Sequence, residues 1–173
     1  DLAAGANAAD PVRAPLEVLP VLHAGDLIAG HRLVRPLAGN DRVWLAEDTA
    51  GARVVFKFPP TDAADTEALR EAFIREARNA VRLASPDLVR AWIPAGSALH
   101  CYAMEFVNVP TLRSALLSDR LGVEDGRELA RFLLRVGQFL LRHDLAHGDI
   151  KPDNILVLRE PSGVSFRLLD LGR

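Results

Sequence analysis

The chain has 173 residues and a formal net charge of −2 at pH 7; 49% of its residues are hydrophobic and 25% are charged. This composition indicates one or two small globular domains, and the scattered arginines argue against a nucleic-acid surface. The single cysteine, Cys101, cannot form an internal disulfide, and no segment has the pattern of a membrane span or a secretion signal. We therefore expect a cytoplasmic location and no nucleic-acid partner.

Residues 1–25 are rich in alanine and proline, and the prolines would interrupt any helix. We expect a linker or an appended arm here. Because the chain begins at Asp1 and ends directly after Gly172, at Arg173, we expect it to be a segment of a longer protein.

From residue 26 the chain changes to short β-like runs: LIAGHRLVRPL, VWLAED and RVVFKF. The last two flank a TAG turn and predict a β-hairpin. Its second strand carries Lys57 between Phe56 and Phe58. A lone lysine in an apolar strand is commonly an edge or snorkelling residue. A functional role for Lys57 is therefore indicated only by the motifs elsewhere in the chain.

A helix is expected over residues 62–84, with Asp62 or Thr66 as its cap. Glu76 lies on this helix beside the apolar stripe, and a position on a solvated helix face is the alternative to a functional one. Two further strands are expected in LVRAWIP and LHCYAMEFV, before residue 108.

A short helix should follow Pro110 and Thr111, and a longer helix should cover about residues 124–144. The apolar residues of the longer helix cover more than one face, so we expect it to be buried on several sides. If the rest of a parent chain or a partner does not cover it, this helix would expose a large apolar surface.

The most informative stretch is HGDIKPDNILV, residues 147–157, followed after a predicted hairpin by DLG at 170–172. Turns favour Asp, Asn, Gly and Pro, but turn preference explains neither Lys151 nor the second aspartate, Asp170. A carboxylate can accept the proton of a hydroxyl, an ammonium can neutralise a phosphoryl group, and amide and carboxylate oxygens can bind hard cations. These residue types suit phosphoryl transfer from a magnesium nucleotide.

The pattern resembles the catalytic and metal-binding loops of eukaryotic-like (Hanks-type) Ser/Thr protein kinases, H-R-D-x-K-x-x-N and D-F-G. The resemblance covers residues 26–173. It implies that Asp149 is the catalytic base and that Lys151 stabilises the transferred phosphate. Asn154 and Asp170 would bind Mg²⁺, Lys57 would hold the ATP phosphates while paired with Glu76, and His147 would be mainly structural.

The resemblance also implies an adenine pocket. Met104 would guard its back, and Glu105 to Val107 would form a hinge that offers backbone groups to adenine. The remaining residues assigned to the nucleotide are Val43 and Val55 above adenine, Leu156 below it, and Gly39 in the loop over the phosphates.

The chain departs from the family pattern at several positions. The loop at residues 37–43 has one glycine, Gly39, where the family has three, and it is about two residues short, so nucleotide binding could be weak. Gly148 replaces an arginine that often mediates control by activation-loop phosphorylation, and Val55 replaces a smaller alanine.

We therefore expect an α+β, protein-kinase-like fold, with a linker at 1–25, a β-rich N-lobe with one helix at 26–107 and a partial C-lobe at 108–173. The expected activity is ATP- and Mg²⁺-dependent phosphorylation of a protein substrate on Ser or Thr. A pseudokinase scaffold and a small-molecule kinase, such as an aminoglycoside phosphotransferase, are the alternatives. The stretches VWLAEDTAGARVVFKFPP and SPDLVRAW also resemble the kinase half of bacterial phosphatase–kinase fusions.

Overall fold

The computed structural model describes residues 21–37, 39–59, 67–95, 101–118 and 121–170. Within them a β-rich lobe precedes a smaller, more helical lobe, which is the α+β arrangement expected from the sequence. Residues 1–20 of the expected arm lie outside the described residues. The end of the arm contacts the first lobe, because Leu22 packs against its sheet and the Gly25 N–H donates to the Leu33 carbonyl at 2.8 Å.

The first lobe is built on a six-stranded antiparallel sheet in the order β1-β2-β3-β4-β6-β5. Its strands are β1 Leu27–Ile28, β2 His31–Leu37, β3 Asn40–Glu47, β4 Arg53–Lys57, β5 Ala91–Trp92 and β6 Tyr102–Glu105. The predicted hairpin is present as β3 and β4. The run LIAGHRLVRPL is not one strand but two, because Ala29 and Gly30 have φ angles of 47° and 79° and reverse the chain.

One helix, α1 Glu67–Arg82, packs on this sheet and lies within the predicted range. Its buried residues recur about one helical turn apart: Phe73, Ala77 and Ala80. The ring of Phe73 lies 5.7 Å from the ring of Tyr102 on β6. The cap candidates Asp62 and Thr66 lie outside the described residues.

The two faces of the sheet serve two separate cores, because successive side chains of a strand point to opposite faces. One face presents Val55, Tyr102 and Met104 to α1 and to the second lobe. The other face carries residues such as Trp44 and Phe56, which pack with the first strands in a smaller core. Lys57, opposite Tyr102 in the β4–β6 register, lies on the face that looks toward the second lobe.

The second lobe contains α2 Leu112–Leu117, α3 Val123–Arg142, a 3-10 turn at Pro152–Asn154, and the hairpin β7 Ile155–Glu160 and β8 Gly163–Leu168. The α2 helix begins as predicted after Pro110, with Thr111 as its N-cap: the Thr111 side chain accepts from the Ser114 N–H. The hairpin is also as predicted, with Glu160 paired to Gly163.

The expectation that the long helix is buried on several sides is wrong within the described chain. Phe132, Val136 and Leu140 are buried along one stripe, and the Phe132 ring lies 5.6 Å from the Phe166 ring of β8. Leu134 and Leu141 are exposed by 66% and 75%. The reason is that the described residues pack against α3 along that stripe, where the β7–β8 hairpin lies.

The two lobes are joined by a short parallel bridge between Leu88 and Leu168. The Val89 N–H donates to the Leu168 carbonyl at 3.0 Å, and the Leu168 N–H donates to the Asp87 carbonyl at 2.8 Å. Arg135 of α3 reinforces this junction through its ion pair with Asp87 at 3.1 Å. The end of β8 is therefore fixed against the segment that leads into β5. None of the described helices is long and apolar enough to cross a membrane.

Candidate active site

Lys57 ends β4 and meets a carboxylate from α1. Its Nζ lies 2.6 Å from Glu76 Oε1, and the two side chains are only 15% and 13% exposed. The β3–β4 register places Val43 opposite Lys57 on one side, and the β4–β6 register places Tyr102 opposite it on the other. The sheet and α1 thus hold an ammonium group at the edge of a core, where an unpaired charge would be costly.

Asp170, just after β8, brings a second carboxylate to the same lysine. Its Oδ2 lies 2.5 Å from Lys57 Nζ. The Tyr102 hydroxyl donates to Glu76 Oε1 and lies 3.3 Å from Asp170 Oδ1. Asp170 has a φ of 35°, a left-handed conformation that Asp adopts more readily than most residues. Lys57, Glu76, Asp170 and Tyr102 form what we call the buried cluster.

The pKa values in the buried cluster move in opposite directions. Burial and the negative charge of Asp170 raise the pKa of Glu76 from 4.5 to about 7, although Lys57 opposes this change. Burial would also raise the pKa of Asp170, but the charge of Lys57 and hydrogen bonds to the carboxylate hold that pKa below its ordinary value. Burial raises the pKa of Tyr102, so its hydroxyl keeps its proton. The cluster therefore favours one ionised carboxylate at Asp170.

The loop before β7 carries a second group, which we call the exposed trio: Asp149, Lys151 and Asn154. Lys151 Nζ lies 2.7 Å from Asp149 Oδ2, and both side chains are 47% exposed. Asn154 Nδ2 donates to the Asp149 carbonyl at 3.0 Å and to its Oδ2 at 3.1 Å. The hydrogen bond from Lys151 lowers the pKa of Asp149, which is therefore ionised at neutral pH.

His147 and Leu169 connect the exposed trio to the buried cluster. His147 is 4% exposed; its Nε2 donates to the Asp170 carbonyl, and its Nδ1 accepts from the Asp149 N–H at 3.2 Å. The Leu169 N–H donates to the Asn154 carbonyl at 2.8 Å. The residues before and after the β7–β8 hairpin are thus fixed to each other. Gly148, at a φ of 74°, permits the sharp bend between His147 and Asp149.

Asn154 and Asp170 supply the oxygen donors that suit Mg²⁺, an ion usually bound by one or two carboxylates together with phosphate oxygens. The amide nitrogen of Asn154 is used on Asp149, which leaves its amide oxygen as the donor for a cation. Among the described residues, no group of three His, Cys, Asp or Glu side chains could hold a metal ion by itself. A cation here would need oxygens from a bound phosphate.

The residues assigned to adenine belong to one apolar core or pack against it. Val55 pairs with Met104 across β4 and β6, and both belong to the larger core together with Leu156; Val43 packs against that core. Leu156 forms a β-bridge with Thr111, directly after the hinge. These side chains provide apolar surfaces from both lobes.

The hinge residues have some of their polar groups already engaged. The Glu105 N–H donates to the Arg90 carbonyl at 2.9 Å, and Glu105 Oε1 accepts from Arg167 Nη1 at 3.0 Å. The Val107 carbonyl accepts from the Val109 N–H at 2.9 Å. The Glu105 N–H and the Val107 carbonyl are therefore already used within the chain.

The loop expected at residues 37–43 is much shorter in the structure. Leu37 of β2 pairs directly with Asn40 of β3, so residues 40–43 belong to the strand. Gly39, with a φ of 64°, lies in this tight connection. The Trp44 indole N–H donates to the Asp41 carbonyl at 2.6 Å and holds the start of β3. The expected phosphate-covering loop is thus reduced to a hairpin turn.

Tyr102 is the functional candidate that sequence reasoning missed. A signal was available, because Tyr102 lies two residues before Met104 and so shares its face of the strand. The hydroxyl would also need a partner if that face were buried. Which partner it finds depends on the register between β4 and β6, which the sequence does not specify.

Comparison with known proteins places these residues in a family, although no protein-family model matches the chain. The chain is 31% identical over 147 residues to the serine/threonine-protein kinase pkn2 of Myxococcus xanthus, which covers 82% of the chain and 18% of that protein. It is 33% identical over 128 residues to the probable serine/threonine-protein kinase PknB of Corynebacterium glutamicum, with 69% and 20% covered. The chain therefore spans about a fifth of the length of these curated relatives.

Solved kinase domains share the fold. The PknI kinase domain of Mycobacterium tuberculosis matches with a TM-score of 0.63 and 25% identity, over 87% of this chain and 63% of that one. The Rad53 kinase domain with SCD2 matches with a TM-score of 0.64 over 83% of this chain and 51% of that one; at 24% identity it supports the fold alone. By sequence and fold, the chain belongs to the Hanks-type Ser/Thr protein kinase family.

Proposed function

We propose that this chain carries the nucleotide site and catalytic loop of an ATP-dependent protein Ser/Thr kinase. The observation that supports this most is the junction at His147 and Leu169, which holds the buried cluster next to the exposed trio. One group offers a cation and a carboxylate for a metal nucleotide, and the other offers a solvent-accessible base. Phosphoryl transfer needs both groups together.

In the proposed reaction the Asp149 carboxylate accepts the proton of a Ser or Thr hydroxyl. The hydroxyl oxygen then forms a bond to the γ-phosphorus of ATP while the bond from that phosphorus to the β-phosphate oxygen breaks, and ADP leaves. Lys151 lies beside Asp149 and would neutralise charge on the transferred group. Lys57 would hold the α- and β-phosphates, with Glu76 fixing its position.

A magnesium ion, when bound, would neutralise charge on the phosphates. Asn154 and Asp170 would hold it, and Asp170 would first have to leave Lys57, to which it is paired at 2.5 Å. For adenine we propose the Glu105 carbonyl and the Val107 N–H as polar contacts. Val43, Val55, Met104 and Leu156 would enclose the ring, and Gly39 would lie nearest the phosphates.

The domain limits, 26–107 and 108–173 with an arm before them, remain part of this proposal, as does a cytoplasmic location. We also propose that the remainder of a longer chain, or a partner, covers the exposed side of α3. A protein substrate is proposed over a small molecule because Lys151 follows Asp149 as in the protein-kinase motif.

Binding of Mg-ATP by the chain tests the nucleotide site. Because a ligand that binds only the folded state raises the thermal midpoint, wild type should melt at a higher temperature with Mg-ATP than without it. Asp170→Asn should lose this increase, since the variant removes the negative charge of a metal ligand and keeps the size of the side chain. A cooperative transition in wild type that Mg-ATP does not shift would overturn the assignment.

One observation favours a second candidate, a pseudokinase scaffold. The tight turn between Leu37 and Asn40 leaves little backbone to cover the phosphates. Turnover of the full-length protein separates the two candidates: transfer of labelled γ-phosphate to protein supports the kinase, while Mg-ATP binding without any transfer supports the scaffold.

A further inference from the structure

Tyr102 places a hydroxyl group inside the buried cluster, at a position that packing alone would fill with an apolar side chain. The residue is fully buried, with an exposed fraction of 0%, and its ring packs against Phe73. A buried hydroxyl destabilises a protein unless it is hydrogen-bonded. Here its partners are Glu76 and Asp170, the two carboxylates that also contact Lys57.

We propose that Tyr102 is a positioning residue of the nucleotide site, whose hydroxyl keeps Glu76, and through it the Lys57 ammonium, in place when Asp170 leaves the lysine for a metal ion. The proposal deepens the proposed function and rests on it. It assigns a role in the site to a residue that lies outside the motifs HGDIKPDN and DLG.

Two donors share one oxygen of Glu76. Glu76 Oε1 lies 2.6 Å from Lys57 Nζ and also accepts the Tyr102 hydroxyl. A carboxylate held by one donor can rotate about its terminal bond, whereas a second donor from another strand restricts that rotation. Tyr102 on β6 and Lys57 on β4 are direct cross-strand partners, so the two donors are themselves held in register.

The Tyr102 hydroxyl has a single proton to donate. A phenol has one proton and donates to one acceptor at a time. The closer partner is Glu76, while Asp170 Oδ1 lies 3.3 Å away. When Asp170 turns toward a cation, it gives up its contacts with Lys57 and Tyr102, but the hydroxyl keeps its bond to Glu76. The lysine thus retains a fixed partner while it becomes available to phosphate.

Tyr102→Phe is the appropriate variant, because it removes the hydroxyl and keeps the ring that packs on Phe73. The Lys57–Glu76 ion pair remains in this variant, so we expect the lysine to be held less firmly and not to be released. In the full-length protein we expect KM for ATP to rise about tenfold and kcat to change by less than about threefold. Lys57 is proposed to hold phosphates before as well as during transfer, so its displacement should weaken binding in both states.

A double-mutant cycle with Glu76→Ala, which removes the acceptor of the Tyr102 hydroxyl, separates positioning from a merely structural role. If the hydroxyl acts through Glu76, Tyr102→Phe should change KM by less than about twofold in the Glu76→Ala background. Equal losses in both backgrounds, or an unchanged KM in the single variant, would overturn the proposal. Thermal melting without nucleotide checks that each variant is folded.

Nucleotide binding and phosphate transfer, measured separately, distinguish a failure of this proposal from a failure of the proposed function. Calorimetric titration of wild type and Tyr102→Phe with Mg-ATP measures the same tenfold difference in affinity without any turnover. If wild type binds Mg-ATP but transfers no phosphate, the kinase assignment fails while the calorimetric difference still decides the role of Tyr102. If wild type does not bind Mg-ATP, both proposals fall.

Discussion

The buried cluster and the exposed trio contain similar chemistry in opposite surroundings. Each has a lysine against carboxylate oxygen, yet Lys57 and Glu76 are 15% and 13% exposed, whereas Lys151 and Asp149 are both 47% exposed. Burial raises the pKa of Glu76 to about 7, while the pKa of Asp149 falls. Burial thus ties the cluster to the stability of the fold, whereas the trio is open to solvent. The roles proposed above, nucleotide binding for the cluster and substrate contact for the trio, follow this difference.

The largest effect should come from the exposed trio, in turnover alone. Asp149→Asn should reduce phosphate transfer by the full-length protein by about 10³-fold, since removal of a general base typically costs 10²–10⁴-fold. The thermal midpoint and the affinity for Mg-ATP should stay close to wild type.

Asp153→Asn is the matched control for this variant. Asp153 lies in the same loop but pairs with Arg113 at 2.6 Å, away from Asp149. Its substitution should leave turnover within about twofold of wild type, because exposed ion pairs contribute little. Full activity in Asp149→Asn would remove that residue as the base.

The next largest effect should come from the buried cluster, in stability. Lys57→Met leaves the carboxylates of Glu76 and Asp170 facing each other without a cation, and should lower the free energy of unfolding by about 2 kcal/mol. Urea denaturation of the chain measures it, and the increase in thermal midpoint with Mg-ATP should disappear as well. A wild-type unfolding curve for this variant would mean that the cluster does not stabilise the fold.

The pH dependence of stability tests the raised pKa of Glu76 in the buried cluster. The pKa of Glu76 rises from 4.5 to about 7 on folding, so the folded state binds the proton more tightly. Between these values the unfolded state has already lost the proton, and the free energy of unfolding should therefore decrease as pH rises from 4.5 to 7. Asp170 acts in the opposite sense, because its pKa falls on folding from 3.8, and its contribution is lost only at more acidic pH.

Glu76→Gln is the control for this titration, since the amide cannot titrate. Chemical denaturation at a series of pH values should show a decline between pH 4.5 and 7 in wild type that is smaller in the variant. The same decline in both proteins would assign it to other groups.

The smallest effect is expected for Lys151→Ala. Its pair with Asp149 is exposed, and such pairs contribute about 0–1 kcal/mol. Urea denaturation should give a change below about 0.5 kcal/mol. A decrease in the free energy of unfolding as large as that of Lys57→Met would show that the exposed trio stabilises the fold as much as the buried cluster does.

Much of the fold follows from local sequence patterns. Short apolar runs on either side of a turn predict the β3–β4 and β7–β8 hairpins, and Thr111 marks the start of α2. The break between β1 and β2 is harder to predict, because Ala29 has a positive φ that nothing in its own side chain favours. The exposure of Leu134 and Leu141 depends on which elements pack against α3, which is a tertiary property.

The candidate site also contains some residues that the sequence identifies and others that only the three-dimensional structure shows. The motif residues Asp149, Lys151 and Asn154 are contiguous enough to identify from sequence. The attachment of Asp170 to Lys57, far apart in the chain, requires the three-dimensional arrangement of both lobes. Tyr102 was missed for that reason, since its hydroxyl meets Glu76 and Asp170 only after β6 pairs with β4.

The bridge between Leu88 and Leu168 has a consequence for motion. Together with the connection through residues 106–109, it fixes two points between the lobes, and two fixed points define an axis of rotation. Opening of the cleft would then swing each lobe about this axis, as in hinge closure of other two-lobed proteins. Asp170 follows the bridge by two residues and therefore lies close to this axis. Its backbone should move little while the lobes open. With the proposed roles, opening of the cleft to a substrate would therefore leave the position of the metal ligand Asp170 nearly unchanged.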